Sequence, residues 1–228
     1  GTRLRVIRDQ YGPDALSVYF GNPVSLNSNA FPLAASLGAQ IGSKRNFSAG
    51  TQDTANKPAA VEAVLGTLNL FPIPDFANTH YLLCFGANPK VSHWTYTSLH
   101  RPLSVLQDII GRGGKVRFIN PRRIESAGEN TGEVTLIKPD TDVYFMAALL
   151  HEIDRTGGFD EAQISQHGQN IEGLRSFIAN YSPERVAPMT GIDAETIRMI
   201  AREYASAPSA AIYMATGVNQ GRQGTLAY

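Results

Sequence analysis

The sequence predicts a mixed α/β fold of mostly parallel sheets flanked by helices. Two stretches carry that prediction. HYLLCFGANP (residues 80–89) and KVRFINPRR (residues 115–123) are apolar runs that stop at clusters of Gly, Asn, Pro and Arg. A strand buried on both faces, opening at its carboxyl end into a loop, has that pattern. LIKPDTD (residues 136–142) ends a third apolar run in the same way. In open α/β sheets ligands sit outside those carboxyl ends, so several polar, small-residue ends in one chain point to an extended, phosphate-bearing ligand.

The elements follow in order. LSVYF (residues 16–20) reads as a short strand stopped by Gly21, Asn22 and Pro23. Residues 30–41 fit a helix closed by Gly42, residues 46–57 a polar loop, and residues 58–65 a helix closed by Gly66. The strand at 81–85 leads through a polar and aromatic loop to a helix over 102–110, stopped by Gly111, Gly113 and Gly114. Strands follow at 116–119 and 134–137. The helix over 142–153 repeats Val143, Met146, Ala147, Leu150 and Ile153 at helical spacing. Helices over 171–181 and 193–205 come next, the second with Asp193 as N-cap. AAIYMA (residues 210–215) is the last strand, stopped at Gly217. This alternation of strands and helices gives a Rossmann-like arrangement.

Composition narrows the function. Hydrophobic residues make up 43% and charged residues 18% of the 228, the content of a globular protein. Lys plus Arg equals Asp plus Glu, so the formal net charge is zero. Broad electrostatic binding to nucleic acid or to an anionic membrane is not expected. The segment around residues 189–205 superficially suggests a helix-turn-helix, but without a basic cluster it reads as a packed helix pair. No apolar run has membrane-spanning length. Cys84 is the single cysteine and lies inside an apolar strand, so it reads as a core residue and these residues hold no iron–sulfur cluster. The chain opens without Met and is expected to be a piece of a longer protein.

Several segments in fixed order carry a resemblance: YFGNP (19–23), FGANP (85–89), INPRR (119–123), KPDTD (138–142), YSPERVAPMTGIDAETIRMIAREYA (181–205) and ATGVNQGRQGTLAY (215–228). The chain resembles the central part of the catalytic subunit of the molybdopterin-dependent oxidoreductases, of dimethyl sulfoxide reductase, formate dehydrogenase and nitrate reductase type. The resemblance implies two interleaved α/β domains. Residues 1–45 and 209–228 would form two parts of one, and residues 46–208 an inserted dinucleotide-binding domain. The strands at 16–20 and 210–215 would then share a sheet.

It further implies a molybdopterin guanine dinucleotide cofactor with Mo or W, two-electron chemistry on a small-molecule substrate, and an electron-transfer protein or subunit as partner. An iron–sulfur cluster would belong to a preceding segment. Gly86, Asn88 and Pro89 would line the diphosphate, where glycine permits close approach and an amide donates to oxygen. Asn120 would face ribose or guanine, although many relatives carry an acid there. Arg122 or Arg123 would meet phosphate bidentately. Asp142 would accept from the guanine N1–H and amino group, or cap the helix that follows it. Relatives often have Gly where Asp140 stands. Gly21, Asn22 and Gly217 would face a second dinucleotide or the metal side.

The metal ligand of relatives maps to residues 45–57, which contain no Cys. Ser48 or Asp53 is left as an oxygen ligand, or no side chain at all. His93, in the aromatic loop after GANP, is the candidate proton carrier, beside Trp94 and Tyr96 as packing residues. The alternative reading is a non-catalytic, molybdenum-free structural homologue in an electron-transfer complex, which the missing thiolate and Asn120 favour.

Overall fold

A computed structural model describes residues 1–228 except Asn69, Thr95, Tyr96 and Ser98, and only the backbone of Ser25 and Leu26. It divides into two compact units, Gly1–Ala55 and Asn56–Tyr228. The smaller unit holds α1 (Thr2–Tyr11), β1 (Val18–Phe20), α2 (Ala30–Ile41), β2 (Asn46–Ser48) and α3 (Gly50–Asp53). The larger unit runs α4 (Asn56–Leu65), β3 (Tyr81–Phe85), α5 (Pro89–Ser92), α6 (Pro102–Gly111), β4 (Lys115–Asn120) and β5 (Glu133–Leu136). It continues through α7 (Asp142–Arg155), α8 (Glu161–His167), α9 (Ile171–Ile178), α10 (Pro183–Thr190), α11 (Ala194–Ser206), β6 (Ala210–Met214), α12 (Thr216–Asn219) and α13 (Gly224–Ala227). Among the described residues no helix is long and apolar enough to cross a membrane.

The expected parallel α/β architecture is present. The larger unit carries a four-stranded sheet in the order β5-β4-β3-β6, parallel at every pairing. All five residues of β3 are buried, which requires a covering layer on each face and a neighbour on each edge. Tyr81, Leu83 and Phe85 point into one core with Phe145 and Leu149 of α7, Val186 of α10 and Ile197 and Ile200 of α11. Leu82 and Cys84 point into the other, with Leu106 and Ile109 of α6, Phe76 and Trp94. Strand alternation therefore sorts one continuous apolar run into two cores. Cys84 is buried among apolar neighbours, as its position in the run predicts.

The predicted sharing of a sheet by the strands at 16–20 and 210–215 is corrected. β1 pairs with β2 through Val18, Tyr19 and Phe20. β6 instead takes the free edge of β3, setting the small Ala210 and Ala211 beside the bulky Tyr81 and Leu82. Within residues 46–57, expected to be loop, lie β2 and α3. Both are short and mostly exposed, and no apolar periodicity marks them. Asp193 caps α11 as expected, its carboxylate accepting from the Thr196 N–H at 2.8 Å.

Candidate functional site

Strand order places the site. The chain enters the sheet at β3, crosses to β4 and then β5 on one side, and returns to the other side of β3 as β6. The topological switch point therefore lies between β3 and β6, and their carboxyl ends frame the crevice where doubly wound sheets bind ligands. Gly86 follows β3 with φ of 58°, a conformation that costs a side-chain-bearing residue about 1–2 kcal/mol. Gly217 lies in α12, just after β6. A Cβ on Gly86 would stand 2.7 Å from the Gly217 Cα, and one on Gly217 2.8 Å from the Gly86 Cα. The glycines thus serve each other: backbone meets backbone at the floor of the crevice. The Gly86 N–H donates to the Ile119 carbonyl and the Ala215 N–H to the Phe85 carbonyl, both at 3.0 Å.

The loop at residues 86–89 is held from the β4 side. Buried Asn120 donates its side-chain N–H to the Ala87 carbonyl at 3.1 Å, so its amide braces the loop. Asn88 is occupied at both ends. Its Oδ1 accepts from Ser126 Oγ at 2.6 Å and its Nδ2 donates to Glu125 at 2.6 Å. Ser126 Oγ in turn accepts from the Lys90 N–H. Pro89 opens α5 at its first position and is buried. Arg122, exposed, grips the two carboxylate oxygens of Glu125 at 3.2 and 3.3 Å. That guanidinium holds the Glu125 carboxyl down at about 2, helped by the Glu125 backbone N–H and by Asn88.

Asp142 is the first residue of α7. Thr141 does not cap that helix with its side chain; its hydroxyl donates to the Lys138 carbonyl at 2.7 Å. The Asp142 carboxyl is pushed up to about 6 by burial, against its own backbone N–H and with the Asp140 charge adding to the rise. It borders a small cleft whose other wall is the chain after β6, with Val218, Gly221 and Gln223. Among the described residues no other side chain donates to it, so its burial is offset only by its own backbone N–H.

Sequence reading did not find Arg222 as the partner of Asp140. Asp140 sits at φ of 63°, the region where glycine is at ease. Its carboxylate accepts from the Arg222 backbone N–H at 2.8 Å and from Nε at 2.7 Å, clamping the turn before α7 to the loop after β6. Glu125 and Ser126 were also missed; no local pattern marks a residue whose partner lies on another strand's loop.

The remaining predicted residues divide between the two units. Gly217 belongs to the β6 edge of the larger unit, whereas Gly21, Asn22, Ser48 and Asp53 all lie in the smaller one. Gly21 is extended, at φ −84°, and Asn22 opens a short 3-10 turn. Ser48 Oγ accepts from the Gly50 N–H at 3.2 Å, and Asp53 closes α3. Among the described residues no three His, Cys, Asp or Glu side chains cluster as metal ligands would. His93 is exposed at φ of 53°, just past α5. Its neighbour Trp94 is buried, stacked 4.8 Å from Phe76 and tilted 5.3 Å from Tyr213, a packing role. Tyr96 lies outside the described residues. The crevice thus combines close backbone approach at Gly86 and Gly217 with one carboxylate that no other described side chain meets.

No protein-family model matches the chain. It is 29% identical over 226 residues to formate dehydrogenase H of Escherichia coli (strain K12), covering 97% of this chain and 30% of that protein. It is 25% identical over 244 residues to the periplasmic nitrate reductase of Desulfovibrio desulfuricans, covering 99% and 30%. Acetylene hydratase from Pelobacter acetylenicus shares the fold, with a TM-score of 0.76 at 22% identity over 99% of this chain and 30% of that one. The chain therefore spans about 30% of the length of these relatives. Matched end to end in sequence and fold, it is a homologue of the molybdopterin oxidoreductases of formate dehydrogenase and nitrate reductase type.

Proposed function

We propose that this chain is a dinucleotide-holding part of a molybdenum or tungsten bis(molybdopterin guanine dinucleotide) oxidoreductase acting on a small substrate. The carrying observation is the switch-point crevice, floored by the Gly86–Gly217 contact and flanked by the unpartnered Asp142 carboxylate. When bound, the cofactor supplies two-electron redox chemistry at its metal. The chain supplies position. Backbone groups at Gly86 and Gly217 let a diphosphate approach without a side chain between. Asn88 and Asn120 hold that loop in place, and Pro89 sets the start of α5. Arg122 offers charge to a phosphate once it leaves Glu125. Asp142, ionised, accepts from the two-donor edge of guanine.

Ser48 or Asp53 would offer an oxygen ligand to the metal, Gly21 and Asn22 would line the second dinucleotide, and His93 would carry a proton. An electron-transfer partner, and an iron–sulfur cluster in a preceding segment, complete the reading. The test is the parent protein's content of Mo, W and oxidatively released pterin. Stoichiometric metal with two pterins per chain is the expected result. Protein matured in a cofactor-making host and found without either would leave the second reading, a metal-free structural homologue, which the absence of Cys from residues 45–57 favours.

A further inference from the structure

A second site lies beside β6, on the side where it pairs with no strand among the described residues. Lys57, on the first turn of α4, places its ammonium between two aromatic faces, 5.8 Å from the Phe71 ring centre and 5.4 Å from that of Tyr228. Among the described residues no carboxylate lies within ion-pair distance of it. Burial holds its amine below the usual lysine range. Beside it opens a cleft of about 230 Å³, walled by Val61, Val64 and Leu65 of α4, by Pro72, and by Ile212 and Met214 of β6.

The walls are fixed. The Tyr228 hydroxyl donates to the Met214 carbonyl at 3.0 Å, holding its ring against the strand end. Asn56, next to Lys57, donates to the Asn219 carbonyl and accepts from Thr225 Oγ, tying α4 to the chain after β6. A cation kept partly out of water without a counter-ion is costly, and two ring faces return only part of the lost hydration. The cleft is smaller than the roughly 300–1,000 Å³ of drug-sized sites, which limits an occupant to about one ring. Its walls are mostly apolar, with the Lys57 ammonium as their charged group.

We propose that this cleft binds a small aryl monocarboxylate, its ring against the aliphatic walls and its carboxylate paired with Lys57. No residue that lines this cleft borders the crevice, so the site stands or falls independently of it.

The probe is sodium benzoate, titrated calorimetrically into the full-length chain, with benzyl alcohol as the neutral ligand of the same shape. The expected result is one benzoate site, with benzyl alcohol about tenfold weaker, the usual margin of a charge-assisted hydrogen bond. Lys57→Met should weaken benzoate about tenfold and leave benzyl alcohol unchanged, while Lys57→Arg keeps most of the benzoate affinity. Benzoate binding no tighter than benzyl alcohol, or as tightly to Lys57→Met as to the parent, overturns the proposal. A measurement needing no substitution checks it again: the 13C signal of reductively methylated Lys57 should titrate at higher pH with benzoate present. A titration unmoved by saturating benzoate also overturns it.

Discussion

Asp142 and Asp140 stand two residues apart and titrate in opposite directions. Burial raises Asp142 to about 6, from an ordinary value of about 3.9. Its contribution to stability is therefore full below pH about 3.9 and is lost as pH rises through about 6. Asp142→Asn removes that loss, so the variant should match the parent in urea unfolding at pH 4 and exceed it at pH 7. In the proposed role the same carboxylate accepts from guanine only when ionised. Affinity for a guanine nucleotide should fall about tenfold per pH unit below 6 and level off above it, and Asp142→Asn should abolish that dependence. Isothermal titration across pH 4.5–8 would read both arms. Asp140, lowered chiefly by hydrogen bonds from Arg222, contributes stability above its ordinary value that is lost as pH falls. The motif made Asp142 legible because a carboxylate after a strand end is a familiar local sign. Asp140 was legible only as a departure, since its partner Arg222 lies far along the chain and on another strand's loop.

Elements buried on both faces were the most legible. The runs at β3 and β4 are apolar because two cores demand it, and α7 and α11 show their buried stripes at helical spacing. Elements whose residues meet little were not: α1 and β2 bury nothing among their described residues. Sheet partners were misjudged for β1 and β6 because small residues such as Ala210 and Ala211 state no preference for a neighbour. What fixes β6 beside β3 is the fit at Gly86 and Gly217. Gly86→Ala should cost about 3 kcal/mol in urea unfolding, from strained φ plus backbone overlap, and Gly217→Ala about 1–3 kcal/mol from overlap alone. The double variant should cost less than the sum, because both side chains compete for one gap. At the opposite end of the sheet, Glu203 of α11 accepts from the Tyr81 hydroxyl at 2.9 Å and Lys115 Nζ at 2.5 Å, and lies 3.6 Å from buried Arg117. Glu203→Gln should lower stability by about 1–3 kcal/mol by weakening a partly buried charge network. Guanine nucleotide affinity should be unchanged, which the same titration would show.

The whole molecule is uneven in what it buries. Among the described residues nearly all buried ones belong to Asn56–Tyr228, while of those described in Gly1–Ala55 only Gly38 and Ser43 are buried and Phe31, Leu33, Leu37 and Phe47 are exposed. A core is what lets a segment of this size fold. Residues 56–228 alone should therefore unfold cooperatively in urea, and residues 1–55 alone should show no cooperative transition. Either result reversed would mean that the units depend on each other in the opposite sense. The switch point also sets an order in time. Residues 86 and 217 must touch before the crevice has a floor, and a ribosome adding roughly 5–20 residues per second takes on the order of ten seconds to make the stretch between them. Throughout that interval β3 waits with the backbone N–H and C=O groups of one edge unpaired, a template for wrong strand pairing. Closing the crevice floor is therefore a late event in the synthesis of this stretch, and a ligand that needs that floor binds only once residue 217 has left the ribosome.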